Sequence, residues 1–286
     1  MKNRPRTHVP EVTVVIPVYN AERHICDTID SILAQRNVDL EIQIVDDQST
    51  DGTRRLLSGY AERDTRVLYM ETPVNTGGPA GPRNLGVRSS RSEWVAFCDS
   101  DDLWHPDKLR AQLDTAQITR AGLICTSIES FRDGVEPHSF RLPLASKPSM
   151  RRIGLWAMLF KNRIATSSVL CRRQLILDAN GFNTDRQMIA VEDYDLWLRL
   201  MTRLETEVIL LKQRLVGYRH IGDSLSAGKL QQAAKIMRVH RSIFAVQGWN
   251  WLFPLAAPLL MLCYITSWLY LRTLVTRHSR EHVSEI

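Results

Sequence analysis

Ala96-Phe97-Cys98-Asp99-Ser100-Asp101-Asp102-Leu103-Trp104 is a short apolar run that ends in three carboxylates within four positions. From Trp94 to Cys98 the residues are apolar with no polar alternation, the pattern of a central strand covered on both faces, and the acids begin where such a strand must stop. Carboxylates this close repel one another unless a cation or a set of donors holds them. A hard divalent ion, Mn²⁺ or Mg²⁺, is one answer, because such ions take oxygen ligands and bridge protein carboxylates to a substrate phosphate. A solvated turn whose aspartates cap a helix beginning near Pro106 is the other. The stretch alone leaves both open, and its neighbours decide.

Upstream, the same unit occurs twice more. Val12 to Pro17 is a β-branched run stopped by proline, followed by an amphipathic helix with Ile25, Ile29, Ile32 and Leu33 on one face. Leu40 to Val45 is a second apolar strand, ending in Asp46-Asp47-Gln48-Ser49-Thr50-Asp51-Gly52-Thr53 before a helix that reaches about Arg63. Val67 to Met70 makes a third strand. Asn75-Thr-Gly-Gly-Pro-Ala-Gly-Pro-Arg83-Asn84-Leu-Gly86 then leads through glycine and proline into a helix carrying Arg83. With a helix from Pro106 to Arg120 and a strand from Leu123 to Ile128, the alternation predicts a parallel sheet flanked by helices. Its ligand crevice lies at the strands' carboxyl ends, where all the acidic turns meet.

Downstream the pattern changes. Arg132 to Arg152 is rich in Pro, Ser, His and basic residues and reads as a long loop beside the site. Ala165 to Leu170 reads as a strand, and Val191-Glu192-Asp193-Tyr194 opens an amphipathic helix whose dipole favours acids in its first turn. Val208 to Leu211 and Leu215 to Tyr218 read as two short strands, Arg219 and His220 as part of a loop, and Lys229 to Val246 as a basic helix.

Trp249 to Leu271 carries no charged residue, and at about 1.5 Å per residue is long enough to cross a hydrocarbon core of roughly 30 Å. Trp249, Trp251, Trp268 and Tyr270 would anchor its ends, but Pro254 and Pro258 would kink or break it, so a spanning helix, a re-entrant or surface-lying segment and a buried soluble helix are the readings that stand, with membrane association preferred.

The bulk numbers bound the class. The chain has 286 residues, 44% of them hydrophobic, and a formal charge of +6, which excludes a wholly disordered protein. Basic residues crowd both ends and flank the apolar segment, which points to anionic lipid and away from nucleic acid. Five widely spaced cysteines without metal-ligand spacing suit a reducing compartment. No secretory signal precedes the first strand.

Val15-Ile-Pro17-Val-Tyr19-Asn20, Val45-Asp46-Asp47-x-Ser49-x-Asp51-Gly52-Thr53, Asn75-x-Gly77 leading to Arg83-Asn84-x-Gly86, Asp99-x-Asp101-Asp102 and Glu192-Asp193 together resemble the inverting glycosyltransferases of family 2. The resemblance runs from about Val12 to His220. It implies the α/β GT-A fold, a mostly parallel sheet flanked by helices, to which the residues add a C-terminal basic helix and an apolar membrane segment. The domain reading is a basic tail over 1–10, a catalytic domain over 11–228 (a nucleotide-binding half, 11–130, and an acceptor-side half, 151–228), and a membrane-associated region over 229–286 with its apolar part at 249–271.

The resemblance also implies roles. Asp101 would ligate Mn²⁺ or Mg²⁺, with Asp99 nearer the donor and His220 able to reach the metal or diphosphate. Pro17 and Tyr19 would floor the nucleotide base, and Asp46 or Asp47 would accept a hydrogen bond from it. Arg83 and Ser100 belong to the nucleotide-sugar side, Arg83 toward the diphosphate. Asp193 would be the general base, with Glu192 as the acid beside it. The glycine-rich turn lacks Gly-Lys-Ser/Thr and does not match a dinucleotide fingerprint, so ATP or NAD is not expected. The Gln-x-x-Arg-Trp signature of processive relatives is missing too.

The expected activity is metal-dependent transfer of one sugar from a nucleotide donor, UDP-linked, to a lipid-linked oligosaccharide in surface-polysaccharide assembly. Its place would be the cytoplasmic face of the inner membrane. A polyprenyl phosphate acceptor, a nucleotidyltransferase and a catalytically silent membrane-bound scaffold are the competing readings.

Overall fold

The computed structural model describes residues 8–135, 149–220 and 229–262. A nine-stranded sheet of order β3-β2-β1-β4-β8-β6-β9-β5, with β7 added on β9, forms its centre. The strands are β1 Val12–Val18, β2 Leu40–Asp46, β3 Val67–Glu71, β4 Trp94–Phe97, β5 Leu103–Trp104, β6 Leu123–Arg132, β7 Met150–Arg152, β8 Leu170–Arg172 and β9 Val208–His220. The helices are α1 Ile25–Leu33, α2 Thr53–Arg63, α3 Ala80–Ser89, α4 Lys108–Thr119, α5 Leu155–Phe160, α6 Arg173–Asp178, α7 Glu192–Arg203 and α8 Lys229–Val246.

Residues along β1, β2 and β4 are buried end to end, and in β1 and β4 the side chains feed two cores. Val12, Val14 and Ile16 with Trp94, Ala96 and Cys98 enter one core with α1 and α4, whereas Val15, Val95 and Phe97 enter the other with α5, α7 and α8. This is why neither strand alternates. α3 lies so close to β1 that a Cβ on Gly86 would come within 2.5 Å of Val15, so only glycine fits there.

The sheet is mixed, not simply parallel. β1 pairs in parallel with β2 and β4, and β6 with β9, but β8 enters antiparallel between β4 and β6. The strand expected over Ala165 to Leu170 is displaced: Thr166–Ser168 is a single 3₁₀ turn and the strand starts at Leu170. The two strands expected at Val208 and Leu215 are one, β9. Its register against β6 jumps from Thr126↔Leu211 to Ser127↔Arg214, so the polar Lys212 and Gln213 that broke the apolar pattern are a bulge. Arg219 and His220, expected in a loop, pair with Phe131 and Arg132 inside that strand.

The ends of the expected Arg132 to Arg152 loop likewise belong to the sheet, as the end of β6 and as β7; residues 136–148 lie outside the described structure, as do Ser224 and residues 263–286. The stretch from Trp249 is not one continuous helix. It turns over 249–252 and is helical over 253–262, and among the described residues no helix is long and apolar enough to cross a membrane. Trp249 stacks on Trp156 at 5.8 Å and meets Phe244 edge-on at 6.0 Å. Of the five cysteines, Cys26, Cys98, Cys125 and Cys171 are free.

Candidate active site

At the carboxyl ends of β1 and β2 lies a cleft of about 410 Å³ lined by Pro17, Tyr19, Asp47, Asn75, Gly77 and Ile189, among others. Gly77 turns the chain at φ +80°, a conformation that favours glycine and lets the backbone hug the opening. Asp47 is held there by the Thr72 hydroxyl at 2.8 Å and by the backbone N–H and hydroxyl of Thr76, each at 3.0 Å. The Thr76 N–H is shared with the other oxygen, also at 3.0 Å, so the roughly four acceptor positions of this carboxylate are all engaged.

Asp46 differs from what the sequence suggested. Its carboxylate is fully enclosed and fully used, by Ser49 N at 3.0 Å, Ser49 Oγ at 2.5 Å, Tyr69 Oη at 3.3 Å and Arg54 at 3.4 Å. It braces the β2–α2 turn and has no acceptor free for a nucleotide base.

The 99–102 turn follows β4 directly. Asp99, Ser100 and Asp101 are half-buried at the surface of the turn and Asp102 points inward. Asp102 does not cap α4, which starts at Lys108; its Oδ1 accepts from Arg219 N at 3.1 Å and its Oδ2 is buried without a partner. Burial first, and then the Asp99 charge, push Asp101 above the ordinary carboxylate range and Asp102 well above it.

Arg83 crosses from this turn to α7. Its Nη2 donates to Asp99 at 2.7 Å and its Nη1 to Glu192 at 3.0 Å. Burial alone would lower its pKa, but the two carboxylates outweigh that and raise it, so the guanidinium is a fixed positive link. The sequence suggested a guanidinium offered to phosphate; in this structure it is almost wholly enclosed and spent on two carboxylates.

Glu192 and Asp193 sit in the first turn of α7, where the helix dipole tolerates negative charge. Asp193 Oδ2 accepts from the Thr166 hydroxyl at 2.9 Å, and Oδ1 from Tyr194 N at 2.6 Å. Burial, then the neighbouring Glu192 charge, lift its pKa to about 6, while Arg83 and Thr166 pull it down. A carboxylate so tuned is ionised near neutral pH and is still basic enough to accept a proton from a hydroxyl. Asp195, the third acid of that turn, is spent on Arg199, which in turn holds the Gly181 carbonyl at 2.8 Å.

The sequence reading missed the turn that joins the two clusters. Thr166 holds Asp193, while the next residue, Ser167, accepts the Asp99 backbone N–H at 3.0 Å. Behind it, Trp104 Nε1 donates to Ser167 O at 3.0 Å and Gln112 Nε2 to Ser168 O at 2.9 Å. Thr166-Ser167-Ser168, three hydroxyls in an otherwise apolar run, was the available signal.

His220 is exposed at the end of β9, with its ring 5.6 Å from Tyr218. Arg219 is buried beneath Phe131, 4.8 Å from the ring, and is bonded to Asp101 O and Asp133. Among the described residues no group of three His, Cys, Asp or Glu side chains is placed to hold a metal, so His220 does not complete a set with Asp99 and Asp101. The residues present nevertheless suit Mn²⁺ or Mg²⁺: such ions are commonly held by one or two carboxylates, with substrate phosphates and water completing the shell. Asp99 and Asp101 supply two hard oxygen donors at the surface of one turn, and burial and the Asp99 charge penalise the charge on Asp101.

Residues 13–174 match the family model described as "Glycosyl transferase family 2". A putative teichuronic acid biosynthesis glycosyltransferase of Bacillus subtilis, TuaG, is 30% identical over 238 residues, covering 82% of this chain and 88% of that protein. An Escherichia coli protein named UDP-Glc:alpha-D-GlcNAc-diphosphoundecaprenol beta-1,3-glucosyltransferase, WfaP, is 29% identical across 81% of this chain and 86% of its own length. Among solved structures, S. aureus TarS 1-349 in complex with UDP-GlcNAc superposes with a TM-score of 0.66 at 19% identity, over 82% of this chain and 66% of TarS 1-349. The Pyrobaculum calidifontis mannosyltransferase PcManGT, in complex with GDP-Man and Mn²⁺, gives a TM-score of 0.63 at 19% identity, over 91% of this chain and 74% of that one. These two structures share the fold.

Proposed function

The chain belongs to glycosyltransferase family 2, and on that premise we propose that it transfers a single sugar, with inversion, from a UDP-sugar to a lipid-linked glycan in cell-surface polysaccharide biosynthesis. The observation that carries this reading is the Arg83 bridge. By pairing Asp99 at 2.7 Å and Glu192 at 3.0 Å, it unites an acidic turn suited to a diphosphate with a helix end that carries a basic carboxylate. Inverting transfer needs both in one site: a group that takes the proton of the attacking hydroxyl, and stabilisation of charge on the departing nucleoside diphosphate.

In this reading Pro17, Tyr19 and Asp47, which line one cleft, hold the nucleotide base. Asp193 takes the acceptor hydroxyl proton as that oxygen attacks the anomeric carbon. Glu192 pairs with Arg83, and its charge helps lift the Asp193 pKa. Mn²⁺ or Mg²⁺, held by Asp101 with Asp99 beside it, would neutralise the leaving diphosphate when bound. The membrane-facing setting, at the cytoplasmic face of the inner membrane, rests on the uncharged stretch from Trp249 to Leu271. A sugar on a lipid diphosphate is preferred to a bare polyprenyl phosphate because the relative from E. coli is named for such an acceptor.

Purified protein incubated with Mn²⁺ and a panel of nucleotide sugars should release UDP in preference to GDP or dTDP, faster when lipid-linked glycan is added. UDP-sugar turnover that is indifferent to Asp193→Asn would overturn the mechanism.

A further inference from the structure

We infer that an exposed apolar face beside the base docks on the surface of an anionic bilayer, so that Asp193 meets an acceptor carried in that bilayer. The face comprises Trp156 and Phe160 of α5 and Trp251, Leu255 and Leu259 of the C-terminal helical segment. The inference builds on the lipid-linked acceptor proposed above.

The C-terminal segment has two apolar sides. Leu252, Phe253, Ala256 and Leu260 pack into the core that holds α7 and α8. Leu255 and Leu259, one helical turn apart, point the other way, and Trp251 and Leu255 remain 70% and 73% exposed. Single exposed leucines are ordinary, but large apolar side chains gathered on one face call for a partner. α5 extends the face: Trp156 and Phe160 are exposed there, and Trp156 stacks on Trp249 at 5.8 Å with the rings nearly parallel.

The same helix is tied to the base. Tyr194, the residue after Asp193, donates its hydroxyl to Met158 O of α5 at 2.9 Å. Five residues beyond α5 comes Ala165, and then Thr166, whose hydroxyl holds Asp193. Docking through α5 would therefore set the base at the lipid surface.

The occupant follows from chemistry. The uncharged run continues from Trp249 to Leu271, so a remainder folded back over the leucines would cover them but leave its own outer apolar side in water. A bilayer covers any amount of such surface. Lys161 and Arg163, both exposed, follow Phe160 directly and would meet anionic headgroups at the rim.

The purified full-length chain should sediment with phosphatidylglycerol–phosphatidylcholine vesicles and bind vesicles of phosphatidylcholine alone more weakly. Leu255→Glu/Leu259→Glu should weaken vesicle partition at least about tenfold, and Lys161→Glu/Arg163→Glu should remove the preference for phosphatidylglycerol. Both variants should keep the parent's melting curve and UDP affinity, since all four side chains are exposed and distant in sequence from the nucleotide cleft. Partition unchanged in the leucine variant would sink the inference, because the tether would then lie wholly beyond the described residues. So would a lipid-free dimer that the leucine variant dissociates, which would make a second copy the occupant. Partition is read without donor or acceptor, so a protein that docks yet fails to bind UDP would count against the proposed transfer and not against the docking face.

Discussion

Two neighbouring regions of the sheet, the ends of β2 and β4, each turn on adjacent aspartates, and their surroundings treat them in opposite ways. Around Asp46 and Asp47, Ser49, Tyr69, Arg54, Thr72 and Thr76 supply nearly every hydrogen bond the carboxylates can accept. Around Asp99 to Asp102 and their partner helix α7, supply falls short: Asp102 Oδ2, Glu192 Oε2 and Arg83 Nε are all buried without a partner. Saturated acids brace a turn. Undersupplied acids, kept in place by one arginine and one hydroxyl-rich turn, store an electrostatic demand that a cation, a diphosphate or a proton can meet.

The largest effect should come from Asp193→Asn, a loss of about 10³-fold or more in kcat/KM with UDP affinity, measured by calorimetry, unchanged. The parent's pH profile carries the sign. A base with a pKa of about 6 is protonated below that value, so kcat/KM should rise as pH climbs through 6 and then level off. A profile flat from pH 5 to 8 would remove Asp193 from the undersupplied, chemically active class.

Arg83→Met should cost about 3 kcal/mol in denaturant unfolding, because it strands the buried Glu192 carboxylate, with the part-exposed Asp99 adding little. Chelation should then lower transfer by on the order of 10²-fold, with recovery on adding Mn²⁺; Asp101→Asn should not recover. Asp46→Asn tests the saturated side. It should lower stability by about 1–3 kcal/mol and leave kcat within a few-fold, and an inactive but stably folded variant would break the contrast.

The smallest effect should be that of Thr166→Val, about a tenfold loss at neutral pH. Its acid limb should move to higher pH, because the hydrogen bond that favours ionised Asp193 is gone. Thr166→Ser should restore both rate and limb; a role confined to packing would leave the limb where it was.

How far the sequence could be read follows from the range of the forces involved. Elements set by local pattern were legible: β1, β2 and β4 from apolar runs buried on both faces, and α1 and α7 from amphipathic periodicity and acids in the first turn of α7. β9 was not, because a bulge at Lys212 and Gln213 has no local signature distinct from a loop. The antiparallel β8 was not either, since three residues carry too little pattern to give a direction. In the site, the acidic clusters could be listed from sequence, yet nothing local separates Asp46, whose donors come from Tyr69 and Arg54 as well as Ser49, from Asp47.

What the sequence by itself determined is the inventory: strand ends bearing acid, a glycine-rich helix entry, an arginine, a helix opening on Glu192-Asp193, and an uncharged C-terminal stretch. Tertiary structure alone decided the assignment of those parts. It turned Arg83 from a phosphate candidate into a link between Asp99 and Glu192, recruited Thr166 and Ser167 to hold the two clusters, and split Trp249 to Leu262 into a packed side and an exposed one. The reason is physical. Propensity and periodicity act over a few residues, whereas desolvation, ion pairing and hydrogen-bond supply depend on groups far apart in the chain.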